Sequence, residues 1–344
     1  MDHVGIDIAK VKSQMCILSA DGVVLERRFK TSREELARLL GGRPRAKVLL
    51  EACGESEWIA RVVEELGHEV VVADPSYRVM YGARSAGIKT DRRDAEALAV
   101  ACQMGAYRTA HRQSEPQRQF RRTIVVREAL VRTRAKLVTL VQALLRQDGI
   151  RVPSGNSKTF LDRLSRLELP EHLELAIGPL RVAIEPLNGQ IDACDELIER
   201  RTQMDDRAKL LCTIPGVGPL TSTVFVNTID DVARFEDPHQ LEAYLGLVPR
   251  EYSSGERQSR GSLTKAGDAR TRMLLVEAAL RIRRLKNPKT ERLWSWSEQV
   301  AQRRGKKIAT VALARRLAGI MYAMLRDKTE FRFGAKEATT AVAA

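Results

Sequence analysis

Apolar and polar residues alternate near the N-terminus with the period of β-strands. Apolar side chains occupy every second position over residues 4–8, and residues 15–18 and 23–25 form two further short apolar runs. Asp21 and Gly22 lie between these two runs, in the pattern of a tight hairpin turn. The sequence therefore predicts a three-stranded antiparallel meander.

The next residues alternate between helical and strand periodicity. Ser32 followed by Glu35 is a capping-box start for a helix, and Gly67 can end a second helix. The predicted helices cover residues 32–40 and 58–66, and the predicted strands cover 47–51 and 69–73. The order βββαβαβ followed by a helix is typical of an α/β fold of the RNase H-like, or RuvC-like, nuclease class.

The central part of the chain predicts long helices. Residues 115–148 are nearly free of Gly and Pro and carry leucines at heptad spacing, and a second apolar seam follows a Pro-Ser-Gly connector at residues 153–157. The first seam is Leu130, Leu137 and Leu144, and the second is Ile184, Leu187, Ile191, Cys194 and Ile198. These seams predict a coiled-coil hairpin or an intermolecular helix pair.

A mainly helical C-terminal part is predicted from Leu210 onward. Asp237 and Pro238 start a short helix, residues 250–267 form a polar hinge, and basic helices run from residue 268 to about 325. We predict a RuvC-like domain at residues 1–110, a helical coiled-coil arm at 111–205, a C-terminal domain at 206–334 and a disordered tail at 335–344.

The charge of the chain is unevenly distributed. The formal net charge is +14 and the isoelectric point is about 9.8, which favours a polyanionic partner such as nucleic acid. Residues 1–100 are balanced, 101–150 carry +7, 151–250 carry −5 and 251–344 carry +12. This pattern suggests that chemistry and polyanion binding lie in different parts of the chain, although basic helices can also be simply solvated.

Cysteine spacing and hydropathy bear on the cellular compartment. The five cysteines lack paired spacing, so neither a zinc site nor a disulfide framework is indicated. No apolar signal region is present at the N-terminus, and no run is expected to be long enough to span a bilayer. We expect a cytoplasmic bacterial or archaeal protein, associated with the nucleoid when active, and no membrane partner.

Four carboxylates form the candidate metal site. Asp7 and Glu51 lie at the ends of two predicted strands, whereas Asp91 and Asp94 share one face at the start of a helix. Hard cations prefer carboxylate oxygens, so the set predicts Mg²⁺, with two ions per site, acting on a phosphodiester. Taken singly, each acid could be a turn cap, a surface residue or a complement to the helix dipole.

Several motifs together resemble the DEDD-type insertion-sequence transposases of the IS110 family. In chain order they are GIDIAK, LLEACG, KTDRRDAEALA, IPGVG, GLVPREYSSG and SLTKAGDARTRMLL. The resemblance covers most of the chain, and the set is specific in this order although IPGVG alone would be weak.

The resemblance implies catalytic residues in both halves of the chain. It implies a RuvC-like domain whose DEDD tetrad matches Asp7, Glu51, Asp91 and Asp94, and a C-terminal transposase domain with a catalytic serine. An aromatic residue before Ser-Gly matches Tyr252, which favours Ser254 and leaves Ser253 open. It further implies a structured noncoding guide RNA. The serine and the tetrad would meet by folding within one chain or across a dimer interface, and we favour the second, with metal support for the serine. The expected assembly is a homodimer or homotetramer.

Candidate nucleic-acid contacts follow from glycines and basic residues. Gly216 and Gly218, in the sequence Ile-Pro-Gly-Val-Gly, resemble a helix-hairpin-helix turn whose amides approach DNA phosphates, although a plain turn has the same pattern. The basic candidates near the serine are Arg257, Arg260, Lys265, Arg270 and Arg272, with Arg303, Arg304, Lys306 and Lys307 as a similar group. A solvated basic face is the alternative.

The leading hypothesis is therefore a DNA transposase or recombinase that cleaves and exchanges DNA strands through a serine nucleophile. The enzyme alternative is a Holliday-junction resolvase or RNase H-type nuclease that uses metal-activated water. A non-catalytic nucleic-acid-binding protein is a third possibility, and an actin-like kinase is disfavoured because no second phosphate-binding loop is found.

Overall fold

The computed structural model describes residues 1–82, 90–251 and 260–332 of the chain. By internal contacts the chain divides into two compact units, a first unit, Met1–Gln113, and a second unit, Ser114–Ala344. Each unit has its own buried apolar core, so each is described by itself.

The first unit is built on a mixed five-stranded sheet with the strand order β3-β2-β1-β4-β5. The strands are β1 (His3–Asp7), β2 (Lys12–Leu18), β3 (Val24–Lys30), β4 (Lys47–Glu51) and β5 (Glu69–Ala73). The first three are antiparallel, whereas β4 runs parallel to β1 and β5 parallel to β4. The predicted meander and the alternating order that follows it are confirmed.

Helices cover both faces of this sheet. They are α1 (Arg33–Leu40), α2 (Ser56–Glu65) and α3 (Asp91–Met104). The first two share a core with alternate residues such as Val4 and Ile6, while α3 packs on the opposite face against Cys16. The predicted cap is present, since Ser32 Oγ accepts a hydrogen bond from the Glu35 amide at 3.4 Å. This layered arrangement agrees with the predicted RNase H-like class.

The second unit is mainly helical, with one small hairpin among its described residues. Its elements are α4 (Glu115–Gln147), α5 (Phe160–Leu164), α6 (Glu171–Met204), α7 (Asp206–Cys212), α8 (Pro219–Ile229), α9 (Pro238–Tyr244), β6 (Pro249–Glu251), β7 (Arg260–Leu263), α10 (Ala269–Leu285), α11 (Glu291–Arg304) and α12 (Lys306–Asp327). Helices α8, α10 and α12 contribute to one large apolar core.

Helices α4 and α6 pack side by side in opposite directions. Arg127 pairs with Asp195 nearer the start of α4, and the Arg134 Nη1 atom donates to Asn188 Oδ1 at 2.7 Å further along. On α6 the predicted seam is buried at its three isoleucines, 184, 191 and 198. On α4 the buried apolar residues are Ile124, Val138, Val141 and Leu145, whereas Leu137 and Leu144 are only partly buried.

Helix α12 departs from the expectation that no segment is long enough to cross a membrane. Lys306–Asp327 has 22 residues and passes that test by length and composition alone. Its apolar residues include Leu313, Leu317 and Met321, which are fully buried in the core of the second unit. The long apolar run is explained by burial on several sides, because a helix surrounded by other helices needs little polar surface.

Candidate active site

Two of the predicted acids end adjacent parallel strands. In the pairing of β1 with β4, Ile6 lies opposite Leu50, so Asp7 and Glu51 are the next residues at the carboxyl edge of the sheet. Both side chains are partly exposed. The strand register thus brings together two acids that are 44 positions apart in the sequence.

A glycine lets α3 approach the strand that carries Asp7. A Cβ atom at Gly5 would lie 2.2 Å from the Ala95 carbonyl oxygen and 2.3 Å from the Ala99 amide nitrogen. Further along α3, the Cys102 Sγ atom donates to the Lys47 carbonyl oxygen, at the opposite end of the strands, at 3.4 Å. Helix α3 therefore runs against the direction of β1, and its first turn lies toward the carboxyl edge.

The other two acids lie in that first turn and differ in exposure. Thr90 caps the helix by accepting a hydrogen bond from the Arg93 amide at 3.3 Å. Asp94 is buried, with 5% of its surface exposed, whereas Asp91 is exposed. The fold therefore buries Asp94 in the first turn of α3 and leaves Asp91 open to solvent.

The four acids have the chemistry of a magnesium site without a closed ligand cluster. Carboxylate oxygens are the ligands that Mg²⁺ prefers, and the acids lie on strand ends and a helix start near one sheet edge. Among the described residues, however, no group of three or more His, Cys, Asp or Glu side chains is close enough to hold a metal ion. The donor chemistry of the four acids fits Mg²⁺.

Tyr81 contacts the candidate site, and the sequence gives no signal for this contact. Its hydroxyl donates a hydrogen bond to the Glu51 carboxylate, and its ring packs on the cluster that contains Met80 and Leu98. The residue lies on a short 3-10 helix, Arg78–Tyr81. No local motif marks it, because the interaction depends on a turn that returns to the end of β4.

Asp74 is a further acid at the carboxyl edge of the sheet, directly after β5. Burial alone would raise the pKa of Asp74, but hydrogen bonds from Ser76 and Arg108 outweigh burial and hold that pKa below its ordinary value. Its carboxylate is already bound by these two residues. Asp74 therefore stabilises the fold by joining the end of β5 to the segment around Arg108.

The buried thiol beneath α3 does not provide a second nucleophile. Burial, with smaller contributions from Glu26 and Glu96, raises the pKa of Cys16 to about 11. The thiol stays protonated at neutral pH, whereas the thiolate is the reactive form. Cys16 is therefore not a candidate nucleophile.

The predicted serine segment lies outside the described residues. This applies to Ser253, Ser254 and Arg257, while Arg260 begins β7. Lys265 is exposed and follows this hairpin, with a positive φ of 55°. In the sequence, the segment lies between β6, which ends at Glu251, and β7, which begins at Arg260.

Two other predicted phosphate ligands make contacts inside the second unit. Arg270 pairs with Glu128 of α4. The Arg272 Nη1 atom donates to the carbonyl oxygens of Gly267 at 2.6 Å and Leu245 at 3.0 Å. Both guanidinium groups therefore hold neighbouring segments together, and their role toward nucleic acid stays a prediction.

The Ile-Pro-Gly-Val-Gly segment forms a tight turn between α7 and α8. Gly216 has a φ of 104°, and a Cβ atom there would lie 2.8 Å from the Ile282 Cγ1 atom. Gly218 is the N-cap residue of α8, and no atom lies within 4 Å of the place where its Cβ would be. A turn between two helices fits both the predicted helix-hairpin-helix and a plain turn, and phosphate binding by its amides stays a prediction.

Both family models and the relatives that match this chain point to the same family of insertion-sequence transposases. Residues 4–148 match the DEDD transposases of IS110, and residues 208–295 match the family described as Transposase IS116/IS110/IS902. A probable family 20 transposase of Pseudomonas aeruginosa is 30% identical over 97% of this chain and 99% of its own length. The transposase of element IS1111A from Coxiella burnetii is 28% identical over 96% of this chain and 91% of its own. A pilin gene-inverting protein of Moraxella bovis is 30% identical over 40% of this chain and 42% of its own.

Proposed function

Since this chain belongs to the IS116/IS110/IS902 transposase family, we propose that it moves an insertion sequence by serine-mediated DNA cleavage and strand exchange. The observation that carries the proposal is the arrangement of acids. Asp7 and Glu51 end adjacent parallel strands, and buried Asp94 lies in the first turn of the helix packed beside them. Acids so arranged suit phosphodiester chemistry.

The proposed roles divide between the two units. Ser254 Oγ, or Ser253 Oγ, attacks a DNA phosphorus, the bond to the departing sugar oxygen breaks, and the hydroxyl proton ends on that oxygen. Asp7, Glu51, Asp91 and Asp94 would hold Mg²⁺, with two ions per site. When bound, the metal supplies charge stabilisation at the phosphate. Tyr81 keeps the Glu51 carboxylate oriented.

The proposed partners follow the family and the charge. They are DNA of the element ends and target, a structured noncoding guide RNA, and further copies of this chain in a dimer or tetramer. We also propose that the α4–α6 pair acts as a coiled-coil arm between the DEDD domain and the C-terminal domain, and that the protein works in the cytoplasm at the nucleoid. The net charge of +14 supports a polyanionic partner.

The decisive test is a search for a covalent protein–DNA adduct. Purified protein with its copurifying RNA and Mg²⁺ is incubated with labelled duplex from the genomic sequence flanking its gene, then resolved on a denaturing gel. We expect an adduct that is lost in Ser254→Ala and in Asp7→Ala. The matched control is Ser262→Ala, an exposed serine of β7, which should keep the adduct.

Two other outcomes would change the proposal. An adduct lost in Ser253→Ala but kept in Ser254→Ala would move the nucleophile by one residue. Cleavage that persists in both serine variants without any adduct would instead support the nuclease that uses metal-activated water.

A further inference from the structure

One short segment of the second unit carries much of the charge of the chain. Residues 281–307 contain ten Lys and Arg against two Asp and Glu, a net charge of +8 within a chain total of +14. So steep a local excess destabilises the folded state through repulsion among like charges, unless an anionic partner offsets it. The segment therefore stands out as a binding surface.

The fold brings the two ends of this segment to one corner of the second unit. Near the end of α10, the Arg283 Nη1 atom donates to the Lys306 carbonyl oxygen at 3.0 Å and to Thr310 Oγ1 at 2.7 Å. The Lys286 Nζ atom lies 5.5 Å from the ring centroid of Trp294 in α11. The end of α10 is thus fixed against both α11 and the first turn of α12.

The cations around this junction are exposed, and we name them the basic corner. Its members are Arg284, Lys286, Arg303, Arg304, Lys306 and Lys307. Helix α12 begins here with no acidic residue in its first turn and no side-chain cap. Gly305 precedes it with a φ of 85° and with no atom within 4 Å of the place where its Cβ would be. The positive end of a helix dipole therefore adds to the side-chain charge.

The surroundings of the basic corner favour a backbone ligand over stacked bases. Trp294 and Trp296 are partly buried, and cations cover their rings, with Arg316 at 4.8 Å from the Trp296 centroid. Binding of single strands relies on aromatic faces that are open to bases. Exposed cations on rigid helix ends instead suit regularly spaced phosphates.

We infer that the basic corner binds the phosphate backbone of duplex DNA without reading its sequence. The inference rests on the proposed function, which makes DNA the substrate. It joins the four basic residues at 303–307, which the sequence already suggested as phosphate contacts, to Arg284 and Lys286 in one surface on α10, α11 and α12. Such a surface would hold DNA in register while other parts of the assembly select the sequence.

The test compares two variants with the same loss of charge. The first replaces Arg303, Arg304, Lys306 and Lys307 with Gln, and the second replaces the dispersed exposed residues Arg45, Lys136, Arg151 and Arg166 with Gln. Full-length proteins are titrated into a labelled 30-bp duplex of arbitrary sequence, and Kd is measured by anisotropy at several salt concentrations. Melting curves check that each variant is folded.

We expect the first variant to bind at least tenfold more weakly and to lose about 3 to 4 from the slope of log K against log salt. The slope of log K against log salt should change less than half as much in the dispersed variant as in the first variant. Equal losses in both would overturn the inference and point to net charge alone. Loss of binding to a 30-bp RNA duplex with unchanged DNA binding would also overturn it. Failure of the wild type to bind any duplex would instead count against the proposed function.

Discussion

The two units of the protein carry their charge in different ways. Residues 1–113 contain 18 Lys and Arg against 16 Asp and Glu, whereas residues 114–344 contain 40 against 28. In the first unit, acids at the candidate site occupy strand ends and a helix start. In the second, similar basic residues divide between internal contacts and open surface.

This difference shows which kind of residue can be assigned from a local pattern. A strand end fixes where an acid such as Asp7 or Glu51 lies, since the carboxyl ends of parallel strands share one edge. A long basic side chain has no such constraint. Arg272 and Arg284 lie on the same helix, yet the first holds two carbonyl oxygens and the second is exposed.

The largest expected effect tests whether the edge of the first unit performs chemistry. Asp94→Asn should lower the rate of DNA cleavage by about a thousandfold, because metal charge stabilisation is worth several kcal/mol. The assay is cleavage of labelled flanking duplex under Mg²⁺. The control is Glu96→Gln, an exposed acid on the same helix, which should retain activity. Equal losses would mean that charge on α3, and not a ligand, is required.

The next prediction concerns how tightly α3 is packed on the sheet. Gly5→Ala should destabilise the first unit by about 3 kcal/mol, because the new methyl group would overlap backbone atoms of α3. Hydrogen exchange of the β1 amides measures the effect within this unit. Gly54→Ala, where no atom lies within 4 Å of the Cβ position, should leave exchange unchanged. Unchanged exchange in Gly5→Ala would show that the packing is looser than described.

In the second unit, Arg272 and Arg284 should separate stability from DNA binding. Arg272→Ala should lower the free energy of unfolding by about 2 kcal/mol, because two carbonyl oxygens lose a charged donor. Arg284→Ala should leave stability nearly unchanged and weaken duplex binding. Urea unfolding and anisotropy titration measure the two quantities. The reverse assignment would contradict the division between internal and open cations.

A smaller effect is expected at Tyr81. Tyr81→Phe should weaken Mg²⁺ binding about tenfold, because residues that orient a ligand carboxylate affect metal affinity on that scale. The readout is the rise in melting temperature with added Mg²⁺, which is independent of catalysis. The control is Tyr107→Phe, at the opposite end of β4 near Lys47. An unchanged response to Mg²⁺ would remove Tyr81 from the site.

The smallest effect is a pH dependence of the first unit. Because the pKa of folded Asp74 is lowered, its contribution to stability is present above the ordinary carboxyl pKa near 4 and is lost as pH falls through the lower folded value. Asp74→Asn should therefore reduce the fall in the free energy of unfolding between pH 6 and pH 2 by less than about 1 kcal/mol. Urea unfolding at pH 2 to 6 measures this fall. The same fall in the wild type and in Asp74→Asn would show that the ion pair contributes nothing to stability.

Much of the first unit could be predicted from the sequence because its signals are local. The strand alternation, the Ser32 cap, the turn at Gly22 and the end of α2 before Gly67 all depend on residues within a few positions of one another. The candidate acids follow directly, since each lies at the end or start of such an element. The roles of Tyr81 and Asp74 could not be predicted from the sequence, because their contacts join segments that are distant in it.

The apolar seams of α4 and α6 were also only partly predictable from local sequence. The isoleucines of α6 were recognised, but on α4 the buried stripe includes residues 124, 138 and 145, one position beyond the predicted leucine stripe. Both stripes repeat every seven residues, so periodicity alone cannot choose between them. The partner helix decides which stripe is buried.

The sequence by itself determined the element order, the caps, the strand-end acids and the family. Tertiary structure decided which face of α4 is buried, which arginines are internal, that Asp94 is buried while Asp91 is exposed, and that the ends of α10, α11 and α12 meet at the basic corner. The physical reason is range. Backbone conformation is set by hydrogen bonds and side chains nearby in sequence, whereas burial and charge pairing depend on segments that only folding brings together.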